Sequence, residues 1–510
     1  MQLRTSLLLP LAAIVHLVAA SPSAGSHGRK CKDIRPPTVP GAEVVSISTA
    51  ELQRGKVCSV NVTLTHPGVD DKVNVWVWLP AAKDWNGRFL GVGGGGWVAG
   101  GGEVDLVAPV NQGYVAASTN AGGQDFFPEG ATGPDLGLFA DFASRSLHEM
   151  TLVGKQLAKS LYGREPHHSY WNGCSTGGRQ GHMMAQKYPT DYDGILGAAP
   201  ALHWPSLMLA IWWPDFVMNH VGMIPNQCEL AVFRKAVIDK CDELDGVKDG
   251  IISNIQACEF DPFTVVGTKV ECYGKHITIS DKIAEIVKLV HEGPRSPAGV
   301  QLWDGYDYGV DYASLLRTLT DENGETTLFQ DPSLGTWVRL FLKKDPDYDL
   351  ASIKTLEEVT ELFATAYSQY GGIIGTGDPD LTPFRQNGGK LLSWHGVGDN
   401  IIMANNTLRY REQVEQVMGG NERVNNFYRL FLAPGVGHCA DGYGPMPTSP
   451  LNTLVDWVEK NKAPTTLAAN YTDTDGKQVK RNLCLWPLVS KYKGKGDVRS
   501  AASYSCEESY

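Results

Sequence analysis

Short apolar runs that stop at glycine, proline or aspartate recur along this chain, and stretches of helical spacing lie between them. "VNVWVWLP" (73–80) alternates and is rich in β-branched and aromatic residues, the pattern of a strand. "RFLGVGGGGWVAGG" (88–101) is a short strand that runs out into glycines, whose backbone can approach another group closely. "GYVAASTNAG" (113–122) reads as a further buried strand. "SRSLHEMTLVGKQLAKSLYG" (144–163) puts Leu147, Met150, Val153, Leu157 and Leu161 at helical spacing and stops at Gly163. "HSYWNGCS" (168–175) is strand-like, and "GGRQGHMMAQKYP" (177–189) is helix-like up to its proline. "DGILGAAPA" (193–201), "KLLSWHGVGD" (390–399) and "YRLFLAPGVGH" (428–438) are further apolar runs that end in turn residues. Strands alternating with helices predict an α/β fold with a mostly parallel sheet covered by helices. The stretch from about 203 to 385 departs from this pattern. It opens with "HWPSLMLAIWWPDF", shows weaker alternation and carries cysteines 228, 241, 258 and 272. It predicts an inserted lid domain over residues 205–385, in a sheet domain built from 21–204 and 386–510. A chain of 510 residues has room for both.

The first residues, "MQLRTSLLLPLAAIVHLVAASPSAG", combine Arg4, an apolar run over 6–20 and small residues at Val18-Ala19-Ala20. They predict a signal peptide over 1–20 and a secreted, extracellular protein, because the run is short and broken by proline. No later stretch is long and apolar enough to span a bilayer, so no membrane partner is expected. The formal net charge is −11 and no Lys/Arg-rich run occurs, which argues against nucleic acid. The ten cysteines are even in number and form no C-x-x-C pair, so an oxidising compartment favours disulfides over zinc. Three sequons, at Asn61, Asn405 and Asn470, fit N-glycosylation.

Gly173-Cys174-Ser175-Thr176-Gly177 matches G-x-S-x-G, the sharp strand-to-helix turn that exposes a nucleophilic serine. The pentapeptide alone is a weak signal in a chain with 56 glycines; the strand before it and the helix after it strengthen it. A serine hydroxyl needs a base to take its proton, and the base needs an acid to orient it. In α/β-hydrolases the acid and then the histidine follow the serine along the chain. Asp399 and His438 each follow an apolar run, at the strand-end loops this order requires. His395, His167, His168 and His182 compete for the role of base, and Asp193 and Asp441 for that of acid. Cys174 precedes Ser175, and Cys439 follows His438. If those two cysteines are bridged, their Cα atoms lie roughly 5.5 to 6 Å apart, which clamps the serine and histidine loops together. An ester-cleaving serine also needs two N–H donors for the oxyanion. Thr176 supplies one, and Gly94 or Gly95 in the glycine loop the other. A second cluster, "CDELDGVKDGII" (241–252), offers Asp242, Asp245 and Asp249 at short spacing. Hard cations such as Ca²⁺ prefer such oxygens, although the pattern misses the EF-hand template and a solvated acidic turn would look the same.

"GCSTGGRQG", the aspartate of "WHGVGDNIIMANNTLRYREQV" and "GVGHC" together resemble the tannase and fungal feruloyl esterase family, and within it the B-type feruloyl esterases. The resemblance spans nearly the whole mature chain. It implies an α/β-hydrolase fold with a lid inserted before the aspartate strand. It also implies Ser175 as nucleophile, His438 as base, Asp399 as orienting acid and a Cys174–Cys439 disulfide. A lid Ca²⁺ site is implied on Asp242, Asp245 and Asp249 with the carbonyls of Val247 and Ile251, in the insertion and away from the strand-end loops. Cys241–Cys258 would staple that loop. Cys31–Cys58 and Cys484–Cys506 would be further pairs, with Cys228 and Cys272 left over. No organic cofactor is implied. The activity expected is hydrolysis of hydroxycinnamoyl (feruloyl-type) esters of plant cell-wall polysaccharide through an acyl-enzyme. The alternatives are a tannase acting on galloyl esters and a phenolic- or glycan-binding protein on an inactive hydrolase scaffold.

Overall fold

The computed structural model describes residues 30–329 and 332–509, without the side chains of Pro332 and Ser333, so the expected signal peptide lies outside the described residues. Nine strands form the central sheet: β1 (Glu43–Leu52), β2 (Val57–Thr65), β3 (Val73–Pro80), β4 (Arg88–Val92), β5 (Val115–Thr119), β6 (His168–Cys174), β7 (Gly194–Ala198), β8 (Lys390–Gly396) and β9 (Tyr428–Ala433). Their spatial order is β1-β2-β3-β5-β4-β6-β7-β8-β9. The pairs from β1 to β5 are antiparallel, and every pair from β5 to β9 is parallel.

The longer helices are α1 (Ser146–Tyr162), α2 (Thr176–Lys187), α3 (Trp204–Val221), α4 (Gln227–Cys241), α5 (Asp281–Glu292), α6 (Leu356–Ile374), α7 (Ala404–Met418) and α8 (Pro450–Lys460). The two-residue period of the parallel strands sends alternate side chains to opposite faces. Phe89, Trp171, Ile195 and Leu391 join the α1 stripe of Leu147, Met150, Val153 and Leu157 in one core. Their chain neighbours Leu90, Tyr170, Leu196 and Leu392 join Leu454, Val455 and Trp457 of α8 in another. A sheet buried on both faces explains why these strands read as near-continuous apolar runs.

Between β7 and β8 the chain is mostly helical, with α3 to α6 and two short hairpins (Lys269–Cys272 with Lys275–Thr278, Thr318–Thr320 with Thr326–Leu328). Its helices share an aromatic core that reaches back to Phe126, Phe139 and Phe142, which precede the helix α1. Trp97 of the glycine loop enters the same core, edge-on to Trp204 at 5.2 Å and stacked on Phe341 at 5.5 Å. The inserted segment and the glycine loop therefore pack as one unit. Five disulfides are present: Cys31–Cys58, Cys174–Cys439, Cys228–Cys272, Cys241–Cys258 and Cys484–Cys506. Every described cysteine is thus paired.

Candidate active site

β6 ends at Cys174 and α2 begins at Thr176, so Ser175 alone makes the turn between them. Its backbone sits at φ 62, ψ −125, a region that costs a non-glycine residue free energy and persists only when the surroundings impose it. Here the Ser175 N–H donates to the Ala198 carbonyl at 3.0 Å, and its carbonyl accepts from Arg179 at 2.9 Å. Gly173 permits the sharp turn, because a Cβ there would stand 2.5 Å from the Gly177 backbone. The buried first turn of α2 leaves the Thr176 N–H pointing out of the helix start, as every helix N-terminus does.

The glycine loop after β4 docks on this helix. Gly94 O accepts from Gly177 at 2.9 Å, and Thr176 Oγ1 donates to Gly96 O at 2.6 Å. The buried Gln180 closes the contact, accepting from Gly94 N–H at 3.1 Å and donating to Ala99 O at 3.0 Å. This corrects one expectation. Gly94 is not available as an oxyanion donor, because Gln180 takes its N–H; Gly94 is a glycine because a Cβ would stand 2.0 Å from the Val98 carbonyl. Gly95 remains for that role.

Asp399 follows β8 and His438 follows β9, and the His438 Nδ1 lies 2.8 Å from Asp399 Oδ2. A carboxylate only accepts, so Nδ1 carries the proton and a neutral His438 holds its lone pair on Nε2. The other carboxylate oxygen accepts from the Ile401 and Ile402 N–H groups, both at 2.9 Å. Burial alone would lift the Asp399 carboxyl, but His438 and His395 beside it hold it well below the usual carboxylate range. Asp399 is therefore a buried anion. Cys174 and Cys439 are bridged with Cα atoms 5.9 Å apart, and Cys439, like Ser175, has a positive φ of 62°. The covalent clamp thus spans two strained turns.

Ser175, Thr176, Gly95 and His438 line one cavity of about 580 Å³. Its walls are largely apolar and come from both parts of the molecule, with Trp97 on one side and Trp204, Met208, Ile211 and Leu334 from the inserted segment. Ser314, Asn400 and Arg317 add polar groups to the lining, and Arg317 is paired to Asp215 at 2.5 Å.

The competing candidates lie elsewhere. His182 is fully buried, contacts Gly178 O at 2.8 Å and is pulled down to about 4 by burial. His167 contacts Gly87 O, and His168 faces Glu459 at 3.6 Å at the start of β6, the end remote from Ser175. Asp193 Oδ2 accepts from the Ser169 N–H at that same end. Asp441 lies in the His438 loop, where its carbonyl accepts from Gly437. His395 is buried beside Asp399 at 3.2 Å but does not line the cavity. Sequence reasoning missed Gln180 and Arg179, which sit inside the quoted "GGRQG". Arg179 is fully buried, has no carboxylate partner among the described residues and is pulled down to about 9 by burial. It donates to the carbonyls of Ala143 and Phe142 and to Thr376 of the inserted segment.

The acidic loop is folded but not isolated. Asp242 accepts from the Asp249 and Gly250 N–H groups, Asp245 Oδ1 from Val247, and Asp249 pairs with Arg481 at 2.8 Å. Asp245 Oδ2 is buried and has no hydrogen-bond partner among the described residues. Burial, with Asp249 and Asp242 nearby, pushes the Asp245 carboxyl up to about 7. The three carboxylates are not among the two groups of three donors that close to within 4.8 Å among the described residues. Three carboxylates against one guanidinium, with an orphaned buried oxygen among them, still fit a hard cation held by a wider ring of oxygens. The expectation that this loop lies away from the strand-end loops is wrong. A Cβ on Gly435, in the loop that carries His438, would stand 3.5 Å from Ile251. The Asp249–Arg481 pair, to the C-terminal strand Gln478–Cys484, draws the loop there. Of the sequon asparagines, Asn470 is exposed, whereas Asn61 and Asn405 are half-buried.

The whole assembly has counterparts among known proteins. A sequence profile described as "Tannase and feruloyl esterase" matches residues 58–507. A probable feruloyl esterase from Arthroderma benhamiae is 42% identical over 531 aligned positions, which cover 99% of this chain and 98% of that one. Among solved structures, the tannin acyl hydrolase from Aspergillus niger superposes with a TM-score of 0.83 at 27% identity, covering 94% of both chains. Feruloyl esterase B from Aspergillus oryzae gives 0.78 at 25% identity, covering 92% of this chain and 97% of that one.

Proposed function

This chain belongs to the tannase and feruloyl esterase family of α/β-hydrolases and is a carboxylic ester hydrolase, and we propose that it cleaves feruloyl-type esters of plant cell-wall polysaccharide through an acyl-enzyme on Ser175. The observation that carries the reading is one cavity lined by both Ser175 and a histidine already hydrogen-bonded to a buried anionic aspartate.

In the proposed reaction Ser175 Oγ attacks the ester carbonyl carbon while His438 Nε2 takes its proton. Asp399 holds the ring by Nδ1 and stabilises the imidazolium that forms. The oxyanion is met by the N–H groups of Thr176 and Gly95, which need no reorganisation during the step. His438 returns the proton to the leaving alcohol oxygen, the C–O bond breaks, and the acyl group stays on Ser175. Water then attacks the acyl carbon while His438 Nε2 takes one of its protons, the bond from that carbon to Ser175 Oγ breaks as His438 returns the proton to Oγ, and the free acid leaves. A binding protein on an inactive scaffold would not need the Asp399–His438 bond or the strained Ser175 turn.

The acyl ring would lie against Trp97, Trp204 and Leu334. The volume falls within the usual range of small-molecule sites. Galloyl esters are the second reading, favoured by the likeness to the tannin acyl hydrolase. A hydrolysis panel of methyl ferulate, methyl caffeate, methyl sinapate and methyl gallate separates the two. Preference for methyl ferulate or methyl caffeate by kcat/KM supports the first, and preference for methyl gallate the second.

The segment 205–385 would act as a lid over this cavity. A structural Ca²⁺ would be held by the carboxylates of Asp242, Asp245 and Asp249 with the carbonyls of Val247 and Ile251. When bound it supplies positive charge to that loop and takes no part in the ester chemistry. The leader over residues 1–20 would direct secretion, and Asn470 is the sequon best exposed to a glycosyl transferase.

A further inference from the structure

We propose that His395 is a positioning residue for the reaction, a second histidine that holds the Asp399 carboxylate in the orientation His438 needs. The proposal rests on the reading of Ser175, His438 and Asp399 given above, and it concerns a group that the reaction scheme does not use.

His395 lies in β8, four residues ahead of Asp399, and is completely buried. Its Nε2 is 3.2 Å from Asp399 Oδ2 and 2.9 Å from the Ile402 carbonyl. Both are acceptors, so Nε2 carries a proton and shares it between them. Its Nδ1 is 2.8 Å from Thr407 Oγ1, on α7, and accepts the hydroxyl proton in the neutral ring. Thr407 is itself completely buried, so this contact fixes the tautomer without competition from water.

The consequences follow from what each oxygen of Asp399 meets. Oδ1 is held by two backbone N–H groups, from Ile401 and Ile402. Oδ2 must serve His438, and it is the oxygen that His395 also touches. Without His395 the carboxylate keeps one oxygen anchored and is free to rock about it. The same Nε2 proton ties down Ile402, whose N–H holds Oδ1 and whose side chain, with that of Ile401, lines the cavity. His395 therefore fixes the aspartate and the turn 399–402 together. A misplacement of about 1 Å at a catalytic group can cost on the order of 100-fold in rate.

The test compares His395→Leu, His395→Gln and Thr407→Val in the full chain, by steady-state kinetics on methyl ferulate and by the rate of fluorophosphonate labelling. Each is measured well below the variant's own melting temperature. The proposal expects His395→Leu to lose about 10- to 100-fold in kcat with KM within about twofold, and to label more slowly by a similar factor. His395→Gln keeps an N–H donor and should recover most of that loss. Thr407→Val should fall between them, and it answers the question if His395→Leu does not fold. Wild-type kcat in His395→Leu or, failing that, in Thr407→Val overturns the proposal. Equal losses in the Leu and Gln variants, in step with their melting temperatures, overturn it too, because they describe a merely structural histidine. Failure of the underlying reading is distinguishable, since Ser175→Ala would then retain activity whatever the His395 variants do.

Discussion

Two buried histidine–carboxylate knots can be set side by side among the described residues, one at the cavity that Ser175 lines and one away from it. At the first, His438 and His395 share the Asp399 carboxylate, and His438 opens onto the pocket that Ser175 lines. At the second, just after β2, His66 is gripped from both ring nitrogens, by Asp71 at 2.5 Å and by Glu149 at 2.7 Å. Asp141 and its partner Arg145 complete that knot. Burial works against a charged His66, yet Glu149 and Asp71 outweigh it and raise the histidine. Both knots hold titratable groups in unusual states. What separates them is geometry. At the Asp399 knot the His438 Nε2 has no hydrogen-bond partner among the described residues, and His438 lines one cavity with a serine on a strained turn. At the His66 knot each nitrogen is already occupied by a carboxylate, so no proton can be taken from a substrate. Perturbed titration marks candidate sites only when an access route and a poised nucleophile accompany it.

The clamp at the first knot is where the comparison is easiest to break. Replacing Cys174 and Cys439 together by alanine should lower kcat by about 100-fold, because both bridged turns carry a reacting group. The chain-entropy model assigns such a long loop about 5 kcal/mol, and engineered removals often show less. The control is the Cys484→Ala/Cys506→Ala pair, which should reduce the melting temperature and spare kcat. Comparable kcat losses in the two double variants would show that the clamp has no special part in the chemistry.

Removal of the proposed calcium should have a smaller effect on rate and a larger one on stability. Chelation withdraws binding free energy from the folded state, so the melting temperature falls. The sign with pH follows from Asp245. Without a cation its folded carboxyl titrates at about 7, above the ordinary 3.8, so the chelated protein loses stability as pH rises through that window. A cation bound there would remove this penalty. The difference in melting temperature between calcium-loaded and chelated protein should therefore widen from pH 4 to pH 7. Because Ile251 abuts the loop of His438, kcat should also drop severalfold on chelation, measured at a temperature where both forms are folded. A gap that does not change with pH would count against Asp245 as a ligand.

At the second knot, chemistry should be silent. Burial pushes Asp141 to about 7, from 3.8, despite Arg145 beside it. The folded state thus binds a proton there that the unfolded chain has released, and this contribution to stability fades as pH rises from about 4 to 7. Asp141→Asn cannot ionise, so its melting temperature should fall less steeply across that range than that of the wild type. Its kcat should change by less than about twofold. Differential scanning calorimetry across the range, with kinetics at one pH, checks both.

The two knots also show what was legible in the chain. Ser175, Asp399 and His438 can be singled out as candidates because each sits where an apolar strand gives way to a loop, and because a cysteine flanks both serine and histidine. The alternating apolar strands and helical stretches were enough for a parallel sheet with a long insertion. The contacts that hold the site were not legible, since they join residues far apart in the chain. Gln180 reaches Gly94 across 86 positions, and Arg481 reaches Asp249 across 232. The first removed Gly94 from the oxyanion role, and the second brought the acidic loop against the His438 loop. The role of His395 was hidden differently. In the sequence it is a rival base, and nothing there shows that both its nitrogens are engaged, one of them on the aspartate itself.

The central claim is that Ser175 is activated by the His438–Asp399 pair inside the clamp. Mass mapping after fluorophosphonate treatment tests it most directly, paired with the turnover of methyl ferulate by Ser175→Ala. The account predicts one labelled peptide containing Ser175, no label in Ser175→Ala, and a loss of turnover by several orders of magnitude with the fold intact. A label on a different serine, or near-wild-type turnover in folded Ser175→Ala, would contradict it.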